Sequence, residues 1–300
     1  MIKKILFITL SNIGDVIMTT PLLEFLYKKY PDAIFDLICD RRSQEIFKYS
    51  PRINKIFLKE KNWGISGNLK FVKTLRNYKY DIAIDLRTDF LLFFIRADQK
   101  FSKINNKHLH SCVKHFGALE INQIPILEPK IYIPLKVKDK LKKVLPLKTK
   151  RIISIGLGSN DSEKIWPVDR YLKLITLLRE TFDLIVLVGD KSDKKSADYF
   201  TKLANFNTLN LCGKLSLIET SSVIQNSIFF IGNDSGLGHI ASAVKTSSFT
   251  IFGKGNPKIY KPYGPKGFYF QSPKKDIKSI KVETIYKKLN KILINNEKEN

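Results

Sequence analysis

The stretch Ile228-Phe-Phe-Ile-Gly-Asn-Asp-Ser-Gly-Leu-Gly-His-Ile-Ala-Ser-Ala243 limits what this chain can fold into more than any other. Ile228 to Ile231 is a short apolar run of strand type. Gly232 permits a sharp turn, and Asn233, Asp234 and Ser235 are all helix-capping residues. From Leu237 the apolar residues Leu237, Ile240, Ala241 and Val244 recur at helical spacing. With Gly236 and Gly238 in its first turn, such a helix offers free N–H groups and the positive end of its dipole, which suits a phosphate. An ordinary strand-to-helix turn reads the same way, so the rest of the chain has to decide.

The same device opens the chain and returns midway. Ile5 to Leu10 reads as a strand, Ser11 to Asp15 as a turn, and Val16 to Tyr30 as a helix with Pro21 near its start. Strands are expected at Ile34 to Cys39, Ile53 to Leu58, Tyr80 to Leu86 and Phe101 to Ile104. Helices are expected at Leu69 to Asn77, Phe90 to Ala97 and His108 to Leu119. Pro125, Pro129, Pro134 and Pro146 then cluster where periodicity weakens, which places a domain junction near 135–150. After it the pattern restarts with the strand Arg151 to Ile155 and the loop Gly156 to Lys164. The expected division is an N-terminal domain over 1–145, a C-terminal domain over 146–280, and a closing helix with a frayed tail over 281–300. Alternating strands and helices mean an α/β class with largely parallel sheets. Ligands bind such sheets at the carboxyl ends of the strands, so two facing domains leave a cleft between them.

Charge narrows the partners. The chain carries 52 basic and 28 acidic residues, a net charge of +24, yet only nine of the basic residues are arginine. Nucleic-acid readers lean on arginine, and the lysines here are spread without a dense tract, so no nucleic-acid partner is expected. A diffuse positive field suits an anionic membrane surface, a phosphorylated glycolipid or a nucleotide. Cys39, Cys112 and Cys212 are too few and too scattered for a disulfide framework, which fits a reducing compartment. The apolar run after Lys3 and Lys4 is too short for a signal peptide, and Phe90 to Ile95, the nearest thing to a membrane span, is far too short for one. A cytoplasmic protein, peripheral at the inner face of the cytoplasmic membrane, is expected.

Several residues carry possible chemistry. Asp15, after Gly14 at the end of the first strand, can act as a general base or merely as a charge partner of the helix that follows. Thr19 and Thr20 could line the same cleft. Ser159, Asn160 and Lys164 resemble an anion site, although Asp161 stands where a dinucleotide fingerprint needs a third glycine, and no Walker sequence is present. Glu219 could accept ribose hydroxyls or simply favour the first turn of its helix. His108, Cys112 and His115 fall on one helical face, but three ligands on a single helix with no matching cluster do not make a metal site expected.

Taken together, four motifs resemble glycosyltransferase family 9, the bacterial heptosyltransferases of lipopolysaccharide core assembly. They are Asn12-Ile-Gly-Asp15-Val-Ile-Met-Thr-Thr-Pro21, Gly158-Ser-Asn with Lys164-Ile-Trp-Pro167, Leu215-Ser-Leu-Ile-Glu219, and Asn233-Asp-Ser-Gly-Leu-Gly-His-Ile-Ala241. Their order and spacing cover nearly the whole chain. The resemblance implies a GT-B fold, two Rossmann-like domains with facing parallel sheets and an interdomain cleft. It implies inverting, metal-independent transfer of a heptose from ADP-heptose to the lipid A-core glycolipid, with no further cofactor. The closing helix would then pack back on the N-terminal domain. Position by position, Asp15 matches the general base, and Ser159, Asn160 and Lys164 match the donor-phosphate group. Glu219 matches the nucleoside-binding acid, and Asp234, Ser235, Gly236, Gly238 and His239 match the turn that meets the pyrophosphate. The acceptor side offers Asn12, Gly14 and the basic candidates Arg41, Arg42, Arg87, Arg96 and Lys107. The chain departs from the family pattern in three places: Ser159-Asn160 stands where relatives often have hydroxyl or other polar pairs, Gly238 replaces a Ser or Met, and the loop Phe252-Gly-Lys-Gly-Asn-Pro257 lacks an acid and a threonine.

Overall fold

The computed structural model describes residues 2–60, 62–87, 90–104, 108–121, 127–145 and 151–298, with side chains to 295. The chain forms two compact units, Met1–Tyr132 and Ile133–Asn300.

Among the described residues, the first unit holds five strands: β1 (Lys4–Ile8), β2 (Ile34–Cys39), β3 (Ile53–Leu58), β4 (Lys79–Asp85) and β5 (Arg96–Ser102). Its helices are α1 (Ile13–Lys29), α2 (Gln44–Phe47), α3 (Ile65–Leu75), α4 (Leu91–Phe94) and α5 (Ser111–Lys114). The strands pair in parallel in the order β3-β2-β1-β4-β5. Alternation along β1 sends Leu6 and Ile8 to one face, where they meet Phe71 and Leu75 of α3 and Leu91 and Ile95 beside α4. Helix α1 buries Val16, Ile17, Leu22, Leu23 and Leu26. Pro21 costs it one backbone donor, and the Ile17 carbonyl left over accepts the Thr20 hydroxyl at 2.7 Å.

Two expectations shift here. The helix expected over Phe90 to Ala97 stops at Phe94, because Ile95 turns extended and the chain from Arg96 pairs along β4. Sheet pairing overrides the local apolar run. The helix expected over His108 to Leu119 shrinks to α5 and a 3-10 turn, His115–Leu119, with His110 as its cap. His108 therefore lies outside it, and the one-face alignment of His108, Cys112 and His115 does not form.

The second unit holds β6 (Ile152–Gly156), β7 (Leu184–Val188), β8 (Thr208–Asn210), β9 (Phe229–Asn233), β10 (Ser247–Phe252) and β11 (Gly267–Gln271). They pair in parallel in the order β11-β10-β9-β6-β7-β8. Its helices are α6 (Leu135–Lys142), α7 (Val168–Leu178), α8 (Lys194–Leu203), α9 (Leu217–Gln225), α10 (Gly236–Ala243), α11 (Pro257–Tyr260) and α12 (Val282–Lys298). At the sheet centre Gly156 pairs with Gly232, and the Phe230 ring lies against both; a Cβ at Gly232 would meet that ring at 2.8 Å.

The boundary falls after Tyr132 rather than after 145, because α6 packs on α9 and so belongs to the second unit. Ile285, Leu289 and Leu293 of α12 join Tyr171, Leu174, Ile175 and Leu178 of α7 in one buried cluster. Its apolar stripe is occupied within the second unit.

Candidate active site

In the second unit β6, β9 and β10 are neighbours, so the loops at their carboxyl ends lie side by side. Asn233, at the end of β9, ties two of them together. Buried completely, it accepts hydrogen bonds from the Trp166 amide at 3.0 Å and the Tyr171 hydroxyl at 2.9 Å. Its amide nitrogen donates to the Leu157 carbonyl at 2.8 Å. The sequence offered Asn233 only as a helix cap; its actual work is to fix the 157–166 segment against β9.

That fastening sets Lys164. Its ammonium lies 2.7 Å from Oδ2 of the buried Asp234, while the side chain stays partly exposed. Ser159 donates to the Asp234 carbonyl at 3.2 Å, so the loop after β6 is also tied directly to the turn after β9. A carboxylate repels a phosphate, so Asp234 is suited to aim Lys164 rather than to touch an anion itself. Gly255 closes on the same carboxylate: a Cβ there would stand 2.4 Å from Oδ2. Lys254 pairs with Asp161 at 3.1 Å and with Glu163, which joins the loop after β10 to the loop after β6.

Helix α10 begins at this point with Ser235 as its N-cap, and the Ser235 side chain makes no capping hydrogen bond. Its hydroxyl is buried without a partner. The amino end of α10 thus stands uncapped beside an ammonium, and both favour an anion. Gly236 lies in the open first turn, whereas Gly238 is buried against Thr250 and Pro262, where a Cβ would meet Thr250 Oγ1 at 3.1 Å. The approach of β10 accounts for the departure to glycine at 238. His239 is buried in the next position. Asn160 is exposed on the loop.

Glu219 has both oxygens engaged. Oε2 accepts from the Ser216 amide at 2.9 Å in a capping box, and Oε1 pairs with Lys140. The Lys140 ammonium first, then the Ser216 amide, hold its carboxyl below the usual glutamate range. A ribose hydroxyl would compete with Lys140 for Oε1.

In the first unit α1 starts at Ile13, three residues earlier than expected, so Asp15 sits within its first turn. Asn12 donates to Oδ2 of Asp15 at 3.0 Å. Thr19 and Thr20 are both buried within the first unit, with Thr19 bonded to Thr9 and Thr20 accepting from the Lys130 amide. Arg87 and Arg41, the expected acceptor contacts, are ion-paired with Asp40 and Glu60, each at 2.9 Å. Arg42 and Arg96 are exposed, and Lys107 lies outside the described residues.

Lys114 interacts with Asp15, and Lys103 lies beside Lys114; sequence reasoning missed both. Lys103 follows β5, its amide bonded to the Asp85 carbonyl at the end of β4, and Lys114 ends α5, which packs on α1. Burial first, then the charge of Lys103, hold the Lys114 ammonium below the usual lysine range, and Asp15 acts in the opposite direction. Nothing in a linear pattern marks them; the parallel pairing of β4 with β5 places Lys103, and the packing of α5 on α1 places Lys114.

Among the described residues no group of three or more His, Cys, Asp or Glu side chains could hold a metal ion. Cys112 and His115 are buried, the thiol pushed up and the imidazole pushed down to about 3, each chiefly by burial.

Residues 98–290 match the family model described as glycosyltransferase family 9 (heptosyltransferase). The chain is 25% identical over 284 residues to lipopolysaccharide heptosyltransferase 3 of Escherichia coli strain K12, covering 83% of this chain and 82% of that one. The solved structure of E. coli ADP-heptose LPS heptosyltransferase II superposes with a TM-score of 0.82 at 21% identity, covering 98% of this chain and 99% of that one. A family 9 glycosyl transferase of Veillonella parvula gives a TM-score of 0.85 at 23% identity, covering 98% and 97%. These likenesses show the fold, GT-B. No helix among the described residues is long and apolar enough to cross a membrane.

Proposed function

The chain belongs to glycosyltransferase family 9, and from that premise we propose that it transfers a heptose from ADP-heptose to the inner core of lipopolysaccharide. The donor reading is supported by the named activity of the solved relative, an ADP-heptose heptosyltransferase, and by the anion cradle of the second unit. The observation that carries it is Lys164, held by Asp234 beside the uncapped amino end of α10.

In this reading the second unit takes the donor and the first supplies the base. Asp15 removes the proton from an acceptor hydroxyl as its oxygen attacks the anomeric carbon. The bond from that carbon to the diphosphate oxygen breaks on the opposite face, so configuration inverts. ADP leaves with the electron pair, and Lys164 and the α10 amides stabilise the charge that develops there. Positive charge at the leaving group is thus supplied by the protein, and transfer is expected to persist in EDTA. Glu219 exchanges Lys140 for the nucleoside hydroxyls. Lys103 and Lys114 face an anionic acceptor near the base. The enzyme works as a peripheral protein at the inner face of the cytoplasmic membrane, where that acceptor is anchored.

A second reading keeps the reaction and changes the donor, favoured by the 252–257 loop that lacks the family's acid and threonine. A donor screen by mass spectrometry, with a truncated core glycolipid as acceptor, separates the two. A product heavier by one heptose only with ADP-heptose supports the first; transfer only from a UDP- or GDP-linked sugar overturns it.

A further inference from the structure

The first unit carries five large apolar side chains in water on the outer side of two neighbouring helices. On α3, Ile65 is 83% exposed and Leu69, one turn on, 65% exposed. Around α4, Phe90 is 84%, Phe93 81% and Phe94 47% exposed. Both helices press their inner residues, Phe71 and Leu75 or Leu91 and Ile95, into one cluster on the same face of the sheet. The outward residues therefore share one side of the unit. Scattered exposed apolar residues need no explanation, but a cluster of this size on one face marks an interaction surface.

Phe90 is the most telling of them. It holds φ at 60°, a left-handed conformation that costs energy for an aromatic residue, and its ring finds no shelter in return. Neither backbone preference nor packing against the described residues accounts for a phenylalanine there. Helices α3 and α4 follow β3 and β4, so Ile65 and Phe90 lie towards the carboxyl edge of the sheet, the edge where α1 begins with Asp15.

Charge identifies the occupant. Ile65 to Arg76 and Phe90 to Arg96 contain Lys70, Lys73, Arg76 and Arg96 and no acidic residue. A second copy docked about a twofold axis would bring these like charges together. Anionic lipid headgroups would neutralise them while the phenylalanines, isoleucine and leucine enter the acyl boundary.

We propose that this face, Ile65 and Leu69 of α3 with Phe90, Phe93 and Phe94 at α4, docks the protein on an anionic lipid bilayer. The proposal deepens the peripheral-membrane part of the proposed function by naming the surface. It places the base-bearing edge of the first unit near the headgroups, where a lipid-anchored acceptor presents its sugars.

The test is cosedimentation of the full chain with vesicles of phosphatidylglycerol and phosphatidylethanolamine, against vesicles of phosphatidylcholine alone. The protein is expected to bind the anionic vesicles, and more weakly as salt rises. Phe90→Ser combined with Phe93→Ser should weaken binding at least about tenfold, with Ile65→Ser and Leu69→Ser adding to the loss. Circular dichroism melting checks that the variants fold, and transfer to a delipidated core oligosaccharide should be unchanged in them. Equal binding by the folded variants, or no preference for anionic vesicles, overturns the proposal. So does a wild-type dimer in analytical ultracentrifugation that these substitutions convert to monomer. Vesicle binding is read without any transfer assay, so a wrong donor or acceptor would not hide the result.

Discussion

The two units use one device for opposite ends. In each, the first helix of interest starts just after a central strand, β1 into α1 and β9 into α10. Helix α1 places its own carboxylate, Asp15, in its first turn, with Asn12 donating to it. The positive end of that helix is answered from within by its own acidic residue. Helix α10 does the reverse: no side chain caps it, and the nearby acid, Asp234, lies before the cap and is engaged by Lys164. Its positive end and the ammonium are left for a ligand. The position of one acidic residue, inside or just ahead of the first turn, decides whether a strand-to-helix turn presents a base or binds an anion.

The largest effect should come from Asp15. Asp15→Asn keeps the shape and the bond from Asn12 but removes the base, and turnover should fall by about 10²–10⁴-fold. Calorimetric titration with ADP should give an unchanged affinity. A variant with near-normal turnover would break the comparison at its first term. Lys164→Met should cost about 10²–10³-fold in kcat/KM and should weaken ADP binding as well, unlike the change at Asp15. Asp234→Asn should follow Lys164→Met in kind but to a smaller degree, because the ammonium remains but is aimed less well. A loss larger than that of Lys164→Met would mean that Asp234 itself acts on the substrate.

The two asparagines that precede these helices sharpen the contrast in stability. Asn233→Ala leaves the Tyr171 hydroxyl, the Trp166 amide and the Leu157 carbonyl without their partner in a buried place. At about 1–3 kcal/mol for each buried group stranded, the loss should reach at least about 3 kcal/mol in urea unfolding of the second unit. Asn12→Ala breaks one exposed bond, and about 0.5–1 kcal/mol is expected in the first unit. Equal losses would remove the distinction between a fastened site and an open one.

Strands with clear boundaries were legible in sequence: Ile34 to Cys39 and Ile53 to Leu58 form as read. The motifs named Lys164 and the 233–239 turn separately, and the ion pair between Lys164 and Asp234 emerges only in the fold. What could not be read was set by contacts far apart in the chain. Asn233 looks like any cap until Trp166 and Tyr171 reach it from 67 and 62 residues away. Arg41 and Arg87 looked free because Glu60 and Asp40 become their neighbours only when the sheet forms. Helix α6 was assigned to the wrong unit because its composition resembles a linker, whereas Val137 and Leu141 are buried.

A last effect separates the units by pH. His115 is buried in the first unit with neither ring nitrogen hydrogen-bonded, and its pKa is pushed down to about 3, first by burial, then by Lys114 and Lys103. The unfolded chain keeps an ordinary histidine near about 6.5. Between those values the unfolded state binds a proton that the folded state refuses, so stability falls as pH drops from about 6.5 towards 3, by up to about 1.4 kcal/mol per unit. Glu219 in the second unit shifts the same way in sign but in a different window. Its pKa is lowered from 4.5, so its contribution is intact above that value and is lost only below it. Between pH 6.5 and 5, acid should therefore weaken the first unit through His115 while leaving the Glu219 contribution to the second in place. His115→Phe should flatten the dependence of melting temperature on pH across that window. If the variant and the wild type kept the same slope, the buried imidazole would not be what makes the first unit acid-sensitive.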